Sequence, residues 1–266
     1  MSTVNDIRTY FEKRVPNYMK LDFDNVGHLV GRGGTEVKRA VVALDVADSV
    51  IFEAKELGAQ LILSHHPLFF QLKSVTDGDR IGRKVLSLIE NGMSAICLHT
   101  NLDTVSGGVN DALMQALGAR VTGLLDPHGV SPDGLPFGIS RVGELDSEMD
   151  FGEFLARTKQ VLCANGLRYH DAGRRVRKLG CCGGSGGGDL EKALEAGCDT
   201  FVTADVKYDQ FMAAADWGIN LIDAGHFNTE NVVVPVLANM LRENFPDVEV
   251  FVSRTHGQTE RYFTFS

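Results

Sequence analysis

The sequence predicts an α/β fold, and three observations predict it. Short apolar runs bounded by turn residues alternate with amphipathic helical patterns, and metal-capable side chains follow those runs at their carboxyl ends. Two stretches of the chain also match each other without a gap. An apolar run without alternation is a strand covered on both faces, the kind found in parallel sheets.

Taken in order, residues 4–15 place Val4, Ile7, Tyr10 and Phe11 at helical spacing, and the pattern stops before Pro16. Turn formers fill 21–27 and 31–34. Val37 to Leu44 is a strand rich in β-branched residues, and Asp48 to Leu57 is a helix with Asp48 as expected N-cap and Gly58 as its stop. Leu61-Ile62-Leu63-Ser64 is then a buried strand, ended by His65-His66-Pro67 because proline cannot extend the ladder. Ile81 to Glu90 is the next helix. The strand Ser94–Leu98 follows and runs into His99-Thr100-Asn101-Leu102-Asp103, with a helix through Leu117 beyond it. Prolines and glycines change the texture over 121–178, read as a connecting or edge region with a short strand at 141–145 and a helix at 151–162. Leu179 to Gly188 is a strand entering a glycine-rich turn. A phosphate cradle and a plain tight turn are both compatible with that turn, which lacks the Lys-Ser/Thr of a P-loop.

Composition narrows the function. With 44% apolar and 23% charged residues, the 266-residue chain can bury a sizeable core without staples. A net charge of −9 argues against nucleic acid and anionic membrane as partners and welcomes divalent cations. Five cysteines, two of them adjacent, do not make a disulfide framework, so reduced thiols are expected. The first ten residues lack an export signal and no run reaches membrane-spanning length, so a cytoplasmic location is expected.

The repeat sharpens the picture. Residues 58–66 align with 197–205, and 92–98 with 218–224, as duplication of one α/β motif would produce. The domain reading is a first repeat over 1–120, the connecting region over 121–178 and a second repeat over 179–266. Ligands of open parallel sheets bind at the strand carboxyl ends, so the residues exiting there should converge. They are His65, His66, Asp103, Asp205, His226 and Glu230; the plain alternative for the His65-His66 pair is one packed and one solvated imidazole. His226 and Glu230, four apart, share one face of an opening helical turn.

His65, His66, Asp103, His226 and Glu230 are the expected metal ligands. Three imidazoles and two carboxylates suit Zn, Mn, Fe, Co or Ni, and five ligands suit two ions better than one. A hydroxide held between ions roughly 3.5–4 Å apart is a ready nucleophile. Hydrolysis of a phosphate ester, amide or amidine-like bond follows as the reaction class. His99, Thr100, Asp205 and Asp209 are candidates for outer positions or proton transfer, with His99, Asp205 and Asp209 taken as catalytic. His28, His128, His170 and His256 read as surface or packed residues.

These motifs resemble the Nif-three-like family, whose members are also called GTP cyclohydrolase I type 2 homologues. The resemblance rests on Phe23-Asp24-Asn25-Val26-Gly27, Ala43-Leu44-Asp45-Val46, Ser64-His65-His66-Pro67-Leu68, His99-Thr100-Asn101-Leu102-Asp103, Gly107-Gly108-Val109-Asn110-Asp111, Gly183-Gly184-Ser185-Gly186 and Ile222-Asp223-Ala224-Gly225-His226 with Glu230. It implies two intertwined α/β domains from an internal duplication, with mixed or parallel sheets flanked by helices. It also implies a dinuclear centre on the five ligands above and a toroidal homohexamer. Two departures stand out: Phe23 replaces the family's usual Trp, and Asp209 replaces the His of Gly-Asp-x-x-Tyr-His, changing charge and basicity where a proton could move. The expected function is a metal-dependent hydrolase, with metal-bound hydroxide as nucleophile, acting on a small nucleotide-like or phosphorylated substrate. The alternative is a non-enzymatic metal-binding, metal-delivery or regulatory protein.

Overall fold

The structure is a computed structural model in which residues 1–263 are described; the last three positions of the stretch 179–266 lie outside them. The chain forms two units. The first comprises residues 1–102 with 234–257, and the second comprises 103–233 with the segment from Gln258 onward.

The first unit holds a five-stranded sheet ordered 27–30, 94–97, 61–64, 39–43, 249–252. Its last four strands run parallel, and Gly27–Val30 adds an antiparallel edge that the turn residues around it had concealed. Leu61, Ile62 and Leu63 are fully buried at the sheet centre, as an unbroken apolar run requires. Each such side chain removed from water contributes about 1.5–3 kcal/mol. The helix Asp48–Glu56 packs Val50, Ile51 and Ala54 on that core. Its N-cap is Ala47 with no side-chain cap bond, so Asp48 is not the cap; it is the first helical residue, where its charge still complements the helix dipole. Gly58 ends the helix at φ +61°.

The second unit holds a six-stranded sheet ordered 119–124, 141–149, 176–181, 200–203, 220–223, 168–170. Its three strands 176–181, 200–203 and 220–223 are parallel, and the other three pair antiparallel around them. Residues 119–170 thus supply the second sheet with three of its strands. The helix Phe151–Val161 buries Phe151 and Phe154 against Leu179 and Val202 in one core.

The repeat is visible in both sheets. Leu61–Ser64 pairs in parallel with Ser94–Cys97, and Thr200–Thr203 with Asn220–Asp223. In each pair the residues that follow the strands are the polar ones singled out by the sequence.

Candidate metal-binding sites

In the first unit, His65, His66 and His99 form one cluster. A ligand nitrogen from each lies within 4.8 Å of the others, and the ring centroids are 5.0, 5.2 and 5.6 Å apart. The strands Leu61–Ser64 and Ser94–Cys97 are neighbours in register, so their exits deliver these side chains together. His99, expected in an outer or catalytic position, therefore sits among the imidazoles themselves.

The ring orientations carry the chemistry. His65 Nδ1 lies 2.8 Å from the Leu98 carbonyl oxygen, which can only accept, so the proton is on Nδ1 and Nε2 presents its lone pair. His66 Nδ1 lies 2.8 Å from Asp45 Oδ1, and His99 Nδ1 lies 2.8 Å from Asp24 Oδ1. Imidazoles that bind metal through one nitrogen are commonly held this way through the other.

Asp24 is buried and accepts from His99, from the Thr100 backbone N–H at 3.0 Å and from the Thr100 hydroxyl at 2.5 Å. Burial by itself would raise its carboxyl, but these bonds and the attraction of His99 outweigh it and hold the group down at about 2. The ordinary value is 3.8, so the carboxylate stabilises the fold above that pH, and its contribution is lost as pH falls through 2. Asp24→Asn is expected to cost about 2 kcal/mol at pH 7, with the deficit shrinking below pH ~4. Urea unfolding of both proteins across that range checks it, and equal midpoints at pH 7 would show that these bonds contribute nothing.

The second unit carries its own pair. His226 opens the short helix His226–Glu230, with Nε2 3.1 Å from Glu230 Oε2 and Nδ1 2.7 Å from Asp205 Oδ2. Burial opposes charge on this imidazole, yet Glu230 and then Asp205 overcome that and raise it to about 9. Asp205 is thus the residue that orients His226, and it does so from φ +52°, a left-handed conformation that a non-glycine residue adopts only where its surroundings impose it. Glu230 is buried beneath the glycine-rich turn. A Cβ on Gly184, at φ +63°, would fall inside contact distance of Glu230 Oε1 and 3.2 Å from His226 Cε1.

The same turn uses its amides internally. Gly183 N–H donates to Asn110 Oδ1 at 2.7 Å, Gly184 N–H to Thr229 Oγ1 at 3.0 Å and Gly186 N–H to Thr203 Oγ1 at 3.0 Å. These three amides are engaged inside the fold, and the turn packs on the Glu230 carboxylate. Asp103 is buried in the short helix Thr100–Thr104, and its carbonyl accepts from Asn110 Nδ2 at 3.2 Å. Asp209 is exposed on the first turn of the helix Tyr208–Trp217 and takes no part in the bonds that hold His226.

Arg141 is a residue the sequence did not flag. It is 3% exposed, and all five of its N–H donors are engaged: Nε with Asp111, one terminal nitrogen with the carbonyls of Gly138 and Ile139, the other with those of Thr104 and Val105. It fixes the chain immediately after Asp103. The five cysteines are free, and burial pushes the Cys181 thiol up to about 12 and the Cys198 thiol up to about 11.

These features define a two-unit α/β protein whose parallel strands end in oriented imidazoles and carboxylates able to hold metal. The chain belongs to the Duf34/NIF3 (NGG1p interacting factor 3) family, which it matches over residues 2–258. It is 37% identical over 254 residues to a Clostridium perfringens protein named GTP cyclohydrolase 1 type 2 homolog, covering 94% of this chain and 96% of that one. A Clostridium acetobutylicum protein of the same name is 34% identical, covering 90% and 89%. A Bacillus cereus protein related to NIF3 shares the fold with a TM-score of 0.92 at 24% identity over 99% of both chains. A Staphylococcus aureus protein does so at 0.91 and 26% identity, covering 98% of this chain and 99% of that one. Among the described residues no helix is long and apolar enough to cross a membrane.

Proposed function

We propose that the chain is a metal-dependent hydrolase of a small nucleotide-like or phosphorylated substrate, with His65, His66, Asp103, His226 and Glu230 as its metal ligands. The observation that supports this most is the shared posture of the histidines. His65, His66, His99 and His226 each engage an oxygen through Nδ1, from Leu98, Asp45, Asp24 and Asp205 in turn. Packed or solvated histidines have no reason to repeat one orientation, whereas ligands do. Imidazole nitrogens mixed with carboxylates fit Zn, Mn, Fe, Co or Ni.

Bound ions would polarise the substrate and lower the pKa of water enough for hydrolysis near pH 7. The chain's own residues divide the remaining work. His66 and His226 are half-buried, at 20% and 36% side-chain exposure, and so can meet a substrate, while His65 is fully enclosed. His99 has its Nδ1 proton held by Asp24, so Nε2 is the atom proposed to take a proton during turnover. Asp205 acts by holding His226. Function in the cytoplasm as a homohexamer belongs to the same proposal, for which the family likeness is the support.

The test is metal content on protein purified without chelator, followed by a substrate panel that includes GTP with the bound ion restored. About two ions per chain are expected, together with turnover that vanishes in His66→Ala and Glu230→Ala while the assembly stays intact. Turnover unchanged in those variants would eliminate the hydrolase, and ion release with no turnover of any substrate would favour metal delivery.

A further inference from the structure

Two phenylalanines stand largely exposed beside the histidine cluster. Phe23 is 64% exposed and Phe70 is 51% exposed, yet their ring centroids lie 5.9 Å apart, and Phe70 lies 5.8 Å from His99. Continued through His65 and His66, the contacts make an unbroken series of five rings that leads from solvent to the cluster within the first unit.

The series is held in place. Asn25 donates from Nδ2 to the Phe69 carbonyl at 2.9 Å, joining the loop that carries Phe23 to the loop that carries Phe70. Phe69 packs on the core below, while Asp24 ties the first loop to His99 and Thr100. Exposing two large aromatic faces on braced loops forgoes burial free energy that each ring would contribute if it turned inward. Aromatic faces presented this way are stacking platforms for flat rings.

We propose that Phe23 and Phe70 form a stacking subsite for a planar nitrogen heterocycle, such as a nucleobase, whose polar substituents then reach the histidine cluster. The inference rests on the reading of that cluster as the reaction site and narrows its substrate class to molecules carrying an aromatic ring. A phosphorylated sugar without a base would lack the part this subsite holds.

Binding of guanosine and adenosine, with ribose as the ringless control, is measured by equilibrium dialysis on the metal-loaded protein. Metal content and oligomeric mass are recorded in parallel. Both nucleosides are expected to bind and ribose not. Phe23→Ala and Phe70→Ala should each weaken nucleoside binding about tenfold, and Phe23→Tyr and Phe70→Tyr should restore it. Both positions are exposed, so the variants should fold, which a thermal melt verifies. Nucleoside affinity equal to that of ribose, or unchanged in the alanine variants, overturns the proposal. So does a change confined to oligomeric mass, which would show that a second copy covers these rings. Nucleoside binding that depends on the phenylalanines in protein that holds no ion would leave the subsite standing and remove the metal reading instead.

Discussion

Arg141→Lys is expected to lower the stability of the protein by about 3 kcal/mol or more and to weaken metal retention with it. The reason is geometric. The guanidinium of Arg141 satisfies Asp111 and four carbonyls at 2.6 to 3.2 Å, from Gly138, Ile139, Thr104 and Val105. An ammonium keeps the charge but has three donors and no fork, so at least two buried acceptors lose their partner, at about 1–3 kcal/mol each. Thr104 and Val105 follow Asp103 directly, and loosening them loosens the backbone that aims its carboxylate. Guanidinium unfolding and metal analysis on the variant read both effects. A midpoint equal to that of the parent would mean that this cage of acceptors is not needed.

Gly184→Ala is the second large effect, and it acts on the site more than on the fold. The left-handed backbone at φ +63° costs an alanine roughly 1–2 kcal/mol, and the new methyl group would press on Glu230 and His226. Gly218→Ala supplies the comparison. Gly218 has nearly the same φ, +66°, but nothing stands within 4 Å of its Cβ position. Both variants should lose a similar increment of stability for the backbone, and only Gly184→Ala should also lose metal, because Glu230 cannot keep its place. If the two variants retain metal equally, the close packing of Gly184 on Glu230 has no bearing on binding.

Much of this site could be read from the chain. An apolar run of strand length that stops at His65-His66-Pro67 announces its own geometry, and the ungapped repeat leads from it to Asp205 and His226. What escaped depends on partners far apart in sequence. Asp24 meets His99 across 75 positions, and neither residue's neighbours signal the bond. The five acceptors of Arg141 are mostly carbonyls, which every residue has and no motif marks. Asp205 reads from the sequence as a candidate for an outer position or for proton transfer; its left-handed backbone and its bond to His226 are features of three-dimensional context that no motif marks. The expected cap at Asp48 gave way to Ala47, which makes no side-chain cap bond, so no cap residue there was available to be read.

The parallel pairing of Arg39–Ala43 with Glu249–Val252 has a consequence for how the protein is made. These partners are separated by about 210 residues, so the edge next to the earlier strand stays open until almost the whole polypeptide has left the ribosome. At roughly 5–20 residues per second that interval is on the order of ten to forty seconds, during which Ala40, Val41 and Val42 offer unsatisfied backbone to any passing extended chain. Loops of this size also slow closure of the sheet itself. The nascent protein should therefore depend on chaperone cover over its amino-terminal third, and carboxyl-terminal truncations that remove Glu249–Val252 should yield aggregates in place of a smaller soluble unit.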